Sequence, residues 1–254
     1  MNDPLLFPAL KGHLQRDETV IVATVVRGPE ALLGAKALIP ANGRPQGPLL
    51  DTPWRDALLA DAARLLAERA ESTTRRYEPD GPELFFDVYR PAPKLVMVGA
   101  VHIAESLIEY ARPLGFKTVL VDPRAAFATA ERFPHADELR HEWPDTALPA
   151  IGLNTETAVV VITHDPKIDD PALKIALPSL AFYVGALGSR TTQTQRVERL
   201  LAAGIPRTQI DRLHAPIGLD LGGRSPAEIG LSIMAEIVAV RNRKSQPQPE
   251  VSAV

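Results

Sequence analysis

Apolar positions along this chain follow two rhythms, and the change between them falls near residue 90. In the first stretch, Val20 to Val26 (VIVATVV) is a short β-branched run, and Lys36 to Ile39 a weaker one. Gly28-Pro29 separates them and Asn42-Gly43 follows, so both read as strands bounded by turns. From Trp54 to Ala70 the spacing lengthens to that of a helix. Trp54, Ala57, Leu58, Ala62, Leu65 and Leu66 share one face, with Arg55, Asp61, Arg64 and Glu68 opposite. Thr52-Pro53 offers an N-cap and a first-turn proline. Leu84 to Tyr89 (LFFDVY) returns to strand. Residues 1–90 are expected to form a small α+β domain.

Arg90 to Lys94 (RPAPK) reads as an extended linker. Beyond it, strand alternates with helix. Leu95 to Gly99 (LVMVG), Thr118 to Asp122 (TVLVD), Ala158 to Thr163 (AVVVIT) and Ala181 to Leu187 (AFYVGAL) are near-continuous apolar runs. Helical spacing marks Ala104 to Leu114 and Thr191 to Ala203, the latter closed by Gly204 and Pro206. Ser225-Pro-Ala-Glu228 has the form of a capping box, opening a last helix to about Val240. Strands apolar throughout, alternating with helices, predict a parallel sheet covered on both faces. Residues 94–242 are therefore expected to be a Rossmann-like domain in a chain of α/β class. Residues 243–254, rich in Pro, Gln and Ser, are expected to be a disordered tail.

Composition narrows the function classes. The 254 residues carry 28 basic and 31 acidic side chains, a net charge of −3, which gives no footprint for nucleic acid. No apolar run approaches the ~20 residues of a membrane span. The first residues show no basic-then-apolar leader, so a cytoplasmic location is the expectation. With no cysteine in the chain, thiolate metal sites, iron–sulfur clusters and cysteine nucleophiles are excluded. No metal site and no catalytic residue is assigned.

Candidate chemistry lies where the strands end. VMVGAVHIAESL follows a strand and opens a helix, as a dinucleotide fingerprint would, and Asp122 stands 23 residues after Gly99, at the position of a ribose-binding carboxylate. Val101 occupies the place of the glycine that lets backbone approach a pyrophosphate, which weakens the reading as an NAD(P) site and leaves the fold signal intact. His102 lies in this turn, either at the mouth of a crevice or as a surface or capping histidine. Thr163-His164-Asp165 follows the third strand. His164 and Asp165 could exchange protons or hold an oxygen-ligated metal or, equally, Asp165 could be a turn former and helix cap. Asp169 and Asp170 read as turn or cap residues, and Arg196 and Arg199 as solvated. Gly188-Ser189-Arg190 is the strongest anion site in the chain: a flexible turn, a hydroxyl and a guanidinium fork at a helix start. Its alternative is a serine-capped glycine turn. Glu228 is the capping-box glutamate, and Glu236 sits among apolar residues where a carboxylate needs a partner.

As an ordered set, GAVHIA, LGFKTVLVDPR, RFPHAD, VVVITHD, YVGALGSR, APIGLDLGGRSPAEI and SIMAEIVAVR resemble the XdhC/CoxI family. These are accessory proteins in the maturation of xanthine dehydrogenase, aldehyde oxidoreductase and carbon monoxide dehydrogenase. The resemblance covers about Leu95 to Arg241. It implies a Rossmann-like domain joined to a smaller N-terminal one, binding of molybdenum cofactor, delivery to the large subunit of an apo-molybdoenzyme, and a homodimer. The matching positions are Gly99, His102, Asp122, Arg124, His164, Asp165, Gly188, Ser189, Arg190 and Gly218. Two departures stand out: Val101 replaces a usual glycine, and RGPEALLG and QGPLLDTPW replace a glycine–serine turn and a Gly-Gly-Cys segment. A cofactor-handling protein, not a turnover enzyme, is the expectation. The alternatives are an NAD(P)-dependent oxidoreductase with His164 as acid/base, or a ligand-free partner-docking scaffold.

Overall fold

The computed structural model describes residues 6–79 and 81–242; the tail expected to be disordered lies outside the described residues. Of the described residues, those up to Pro91 belong to one compact unit and those from Ala92 to Asn242 to a second.

In the first unit β1 (Val20–Arg27), β2 (Lys36–Pro40), β3 (Thr73–Arg76) and β4 (Glu83–Tyr89) form an antiparallel sheet in the order β2-β1-β4-β3. Residue alternation sets its faces. Ile21, Ala23, Val25, Ala37, Ile39, Leu84 and Phe86 join Leu58, Ala62 and Leu65 of α2 (Arg55–Ala67) in one buried cluster. The helix is not capped as its sequence suggests: Trp54 is the N-cap residue and makes no side-chain capping bond, and Thr52 Oγ1 donates to the Leu49 carbonyl (2.7 Å). Helix α1 (Leu6–Gln15), which the apolar spacing did not predict, packs Leu6 on Val20 and Leu38. A cavity of about 660 Å³ is lined by Phe7, Leu10, Val22, Leu38 and Phe85.

The second unit is a Rossmann-like sheet of six parallel strands. These are β5 (Lys94–Val98), β6 (Lys117–Val121), β7 (Glu138–Arg140), β8 (Thr157–Val161), β9 (Tyr183–Ala186) and β10 (Leu213–His214), in the order β10-β9-β8-β5-β6-β7. Both faces are buried. Val96, Val98, Val119, Val121, Val159 and Val161 pack with α4 (Pro144–Ile151) and α5 (Pro166–Ala176). Leu95, Met97, Leu120, Ala158 and Val160 pack with α3 (His102–Ala111) and α8 (Pro226–Arg241). Helix α6 (Arg190–Ala202) adds Leu200 to the first face, and the short α7 (Arg207–Ile210) precedes β10. Strand order reverses between β5 and β8, and open α/β sheets place their ligand crevices outside the carboxyl ends of the strands at such a point. No helix among the described residues is long and apolar enough to cross a membrane.

Candidate functional site

Parallel strands deliver the turns after β5, β6, β8 and β9 to one edge of the sheet, so the residues singled out by spacing arrive together. Beside the reversal point stand Gly99 to His102 on one side and Thr163 to Asp165 on the other. Gly99 has φ +121°, and a Cβ there would lie 2.6 Å from Thr163 Cγ2 and 3.1 Å from the Thr163 nitrogen. Only glycine permits this approach of the β5 turn to the end of β8. Val101 is half-buried and packs against the core. It is also the N-cap of α3, so no side chain caps that helix, whereas Asp165, Ser189 and Ser225 cap α5, α6 and α8.

Asp122, at the end of β6, has no exposed surface and a full set of internal partners. Its Oδ2 accepts from the Ala100 amide (2.8 Å) and Arg124 Nη2 (2.7 Å), and its Oδ1 from the Arg124 amide (3.0 Å) and Nε (2.9 Å). Burial opposes its charge, but the hydrogen bonds from Arg124 and Ala100 outweigh it and hold the carboxyl below its ordinary range. Arg124 stacks over the Phe127 ring, 4.7 Å from its centroid.

After β8, His164 is exposed and has φ +65°, uncommon for a residue with a side chain. Asp165 caps α5, its Oδ1 accepting from the Lys167 amide (3.0 Å). After β9, Gly188 has φ +147°, and Ser189 caps α6 by accepting from the Thr192 amide (3.2 Å). The Arg190 side chain is exposed and makes no hydrogen bond or ion pair among the described residues, and the same holds for the rings of His102 and His164.

Several residues are placed differently from their sequence expectation. Arg196 is not solvated: it is 1% exposed and pairs with Asp169, itself 2% exposed, at 3.2 Å. Burial raises the Asp169 carboxyl and lowers the Arg196 guanidinium, each against the pull of the other. Asp169 and Asp170 lie inside α5 and are neither turn formers nor caps; Asp170 holds Arg199 at 2.6 and 3.1 Å. No local pattern marks these residues, because each pair joins two helices across a loop and a strand. Glu228 forms the expected capping box with Ser225. Glu236 accepts from Tyr183 Oη (2.6 Å) and the Gly218 amide (2.8 Å), and lies 3.0 Å from His214 Nδ1. Gly218, at φ +89°, sits where a Cβ would be 2.5 Å from Ser232 Oγ, so its amide is committed to this clamp on α8.

A Rossmann sheet with its turns gathered over a reversal point defines an α/β domain of the dinucleotide-fold class. Residues 95–237 match the model of the XdhC Rossmann domain, and the chain belongs to that family. It is 30% identical over 194 residues to a probable xanthine dehydrogenase component of Bacillus subtilis (strain 168), covering 75% of this chain and 54% of that protein. It is 28% identical over 199 residues to the molybdenum cofactor insertion chaperone PaoD of Escherichia coli (strain K12), covering 72% and 55%. The chain thus spans about half the length of these curated relatives. A crystal structure described as a xanthine dehydrogenase from Bacillus halodurans aligns with a TM-score of 0.64 at 25% identity, covering 94% of this chain and 68% of that one.

Proposed function

We propose that this protein binds molybdenum cofactor at the carboxyl edge of its parallel sheet and hands it to the large subunit of an apo-molybdoenzyme of the xanthine dehydrogenase type. One observation carries the reading. At the rim of the crevice, the exposed Arg190 at the start of α6 has no partner among the described residues, and it follows a glycine turn that brings backbone close. A guanidinium fork at a helix start suits a phosphate. The donor set fits the rest of an anionic pterin ligand: the exposed rings of His102 and His164, which make no hydrogen bond among the described residues, the uncapped start of α3, and the outer edge of Arg124, whose inner edge holds Asp122. The PaoD name supports the same ligand class.

In this reading Gly188, Ser189 and Arg190 hold the phosphate, and His102 and His164 face the polar part of the ligand. Asp122, Asp165, Gly99 and Gly218 shape the turns. The bound cofactor supplies redox chemistry only in the client enzyme; this chain binds and orients it. The test is anaerobic equilibrium binding of isolated molybdenum cofactor to the wild type and to Arg190→Ala. Loss of a charged hydrogen bond costs about 1.5–3 kcal/mol, so affinity should fall roughly 10- to 100-fold. The melting temperature should not move, because the side chain is exposed. Absence of binding by the wild type would overturn the reading.

A further inference from the structure

Between the β8 and β9 turns runs a hydrogen-bonded chain that the binding residues themselves do not use. It starts at the Asp165 amide, which donates to Thr163 Oγ1 (2.9 Å). Thr163 Oγ1 donates in turn to Asp169 Oδ1 (2.5 Å). The other oxygen of Asp169 accepts from Arg196 Nη2 (3.2 Å), which also donates to the Leu187 carbonyl (2.9 Å). Arg196 Nη1 donates to Gln193 Oε1 (2.6 Å), and Gln193 Nε2 to the Ala186 carbonyl (3.3 Å). The far end therefore grips the last residues before Gly188.

We infer that the buried Asp169–Arg196 pair is the positioning centre of the crevice, fixing the His164 turn and the Gly188–Arg190 turn as one unit. Two observations carry this. First, a buried ion pair is a poor source of stability, since removing two charges from water offsets their attraction, and its better-attested use is to fix a register. Arg196 Nε, buried with no hydrogen-bond partner among the described residues, adds to that cost. Second, His164 holds φ +65° with a side chain, a conformation that persists only where the surroundings over-determine it. The bond from the Asp165 amide to Thr163 Oγ1 closes across His164, and Asp169 fixes that hydroxyl from behind. Asp169 and Arg196 are positioning residues; neither reaches the ligand.

The proposal rests on the cofactor reading only for its binding arm. The experiment compares wild type, Arg196→Met and the double variant Asp169→Leu/Arg196→Met by thermal melting, residue-resolved amide hydrogen exchange and anaerobic titration with isolated molybdenum cofactor. Arg196→Met leaves a lone buried carboxyl and should melt lower. The double variant leaves no charge behind and should recover most of that loss. Even so, the Asp165 amide and the Thr192 amide, which donates to Ser189 Oγ, should exchange at least tenfold faster than in the wild type, with the β5 and β6 amides unchanged, and cofactor affinity should fall at least tenfold. Protection at both amides within twofold of wild type overturns the proposal. So does unchanged affinity on a wild-type protein that binds. Should the wild type bind no cofactor, the cofactor reading falls, and the exchange arm still decides the coupling. Thr163→Val cuts the same chain without touching a charge: it should accelerate exchange at Asp165 and spare Thr192, and no acceleration counts against the proposal. This variant serves if the double one fails to fold.

Discussion

Replacing Asp122 with alanine separates two roles that its position at the end of β6 suggests. A ribose-binding carboxylate would be lost from ligand affinity with little effect on the fold. The structure predicts the opposite order, because all four hydrogen bonds to Asp122 come from the chain itself. Removing the carboxylate frees Arg124 to turn outward, since its side chain is 36% exposed. That part of the loss is small, about 1 kcal/mol or less for a partly exposed pair. Ala100, in contrast, is buried, and its amide is left without an acceptor, at about 1–3 kcal/mol. Together these give roughly 1–4 kcal/mol, and in a unit of this size each kcal/mol moves the melting temperature by about 2–4 °C.

Thermal melting at neutral pH should then show a drop near 10 °C, on the order of 3 kcal/mol. The effect has a pH signature. The folded carboxyl lies below its ordinary range, so its contribution is fully present above the unfolded value, about 3.9, and is lost as pH falls through the folded one. The gap between wild type and Asp122→Ala should be constant from pH 6 to 8, to about 1 °C, and close in acid. A variant that melts within about 2 °C of wild type at neutral pH would refute this account of Asp122.

Glu236→Ala strands the buried Tyr183 hydroxyl and the Gly218 amide, and should cost about 2–4 kcal/mol by urea unfolding, whereas Glu236→Gln keeps an acceptor for both and should cost under about 1 kcal/mol. Equal losses in the two variants would show that side-chain volume, not hydrogen bonding, holds the clamp. Gly99→Ala meets both a forbidden φ, about 1–3 kcal/mol, and overpacking against Thr163, about 1–3 kcal/mol. Gly115→Ala, with φ +75° and open space around its Cβ, carries only the conformational part and should melt several degrees higher than Gly99→Ala.

How much of this could be read in the sequence follows from where each element is buried. Strands β5, β6, β8 and β9 lie between two helical layers, so VMV, VLV and AVVV are apolar without interruption and stand out. Strand β3 (TTRR) lies at a sheet edge with half its residues exposed, and has no apolar rhythm to detect. Helices α4 and α5 carry Pro149 and Pro171 in their interiors, which breaks the spacing that reveals a helix. The turns of the site were legible because parallel strands place their carboxyl-end loops at one edge whatever those loops contain. Arg196 and Asp169 were not, since residues 27 apart on two helices meet only because the intervening strand β9 brings α6 back beside α5 on the same sheet face.

The same contrast sharpens what kind of ligand the crevice suits. Gly99 and Asp122 are the residues that most suggest a dinucleotide, and the fold accounts for both. Gly99 admits the end of β8, and Asp122 ties the Ala100 amide to Arg124. Gly218 is likewise taken up by Glu236. What the fold leaves unused among the described residues is His102, His164 and Arg190, the donor groups at the strand ends, along with the uncapped start of α3. In the proposed reading, this guanidinium and these imidazoles, which make no hydrogen bond among the described residues, are the groups that would meet an anion. A phosphate-bearing ligand with several further acceptors fits that inventory. A ribose seeking a free carboxylate does not, because the one carboxylate in the ribose position already has four donors of its own.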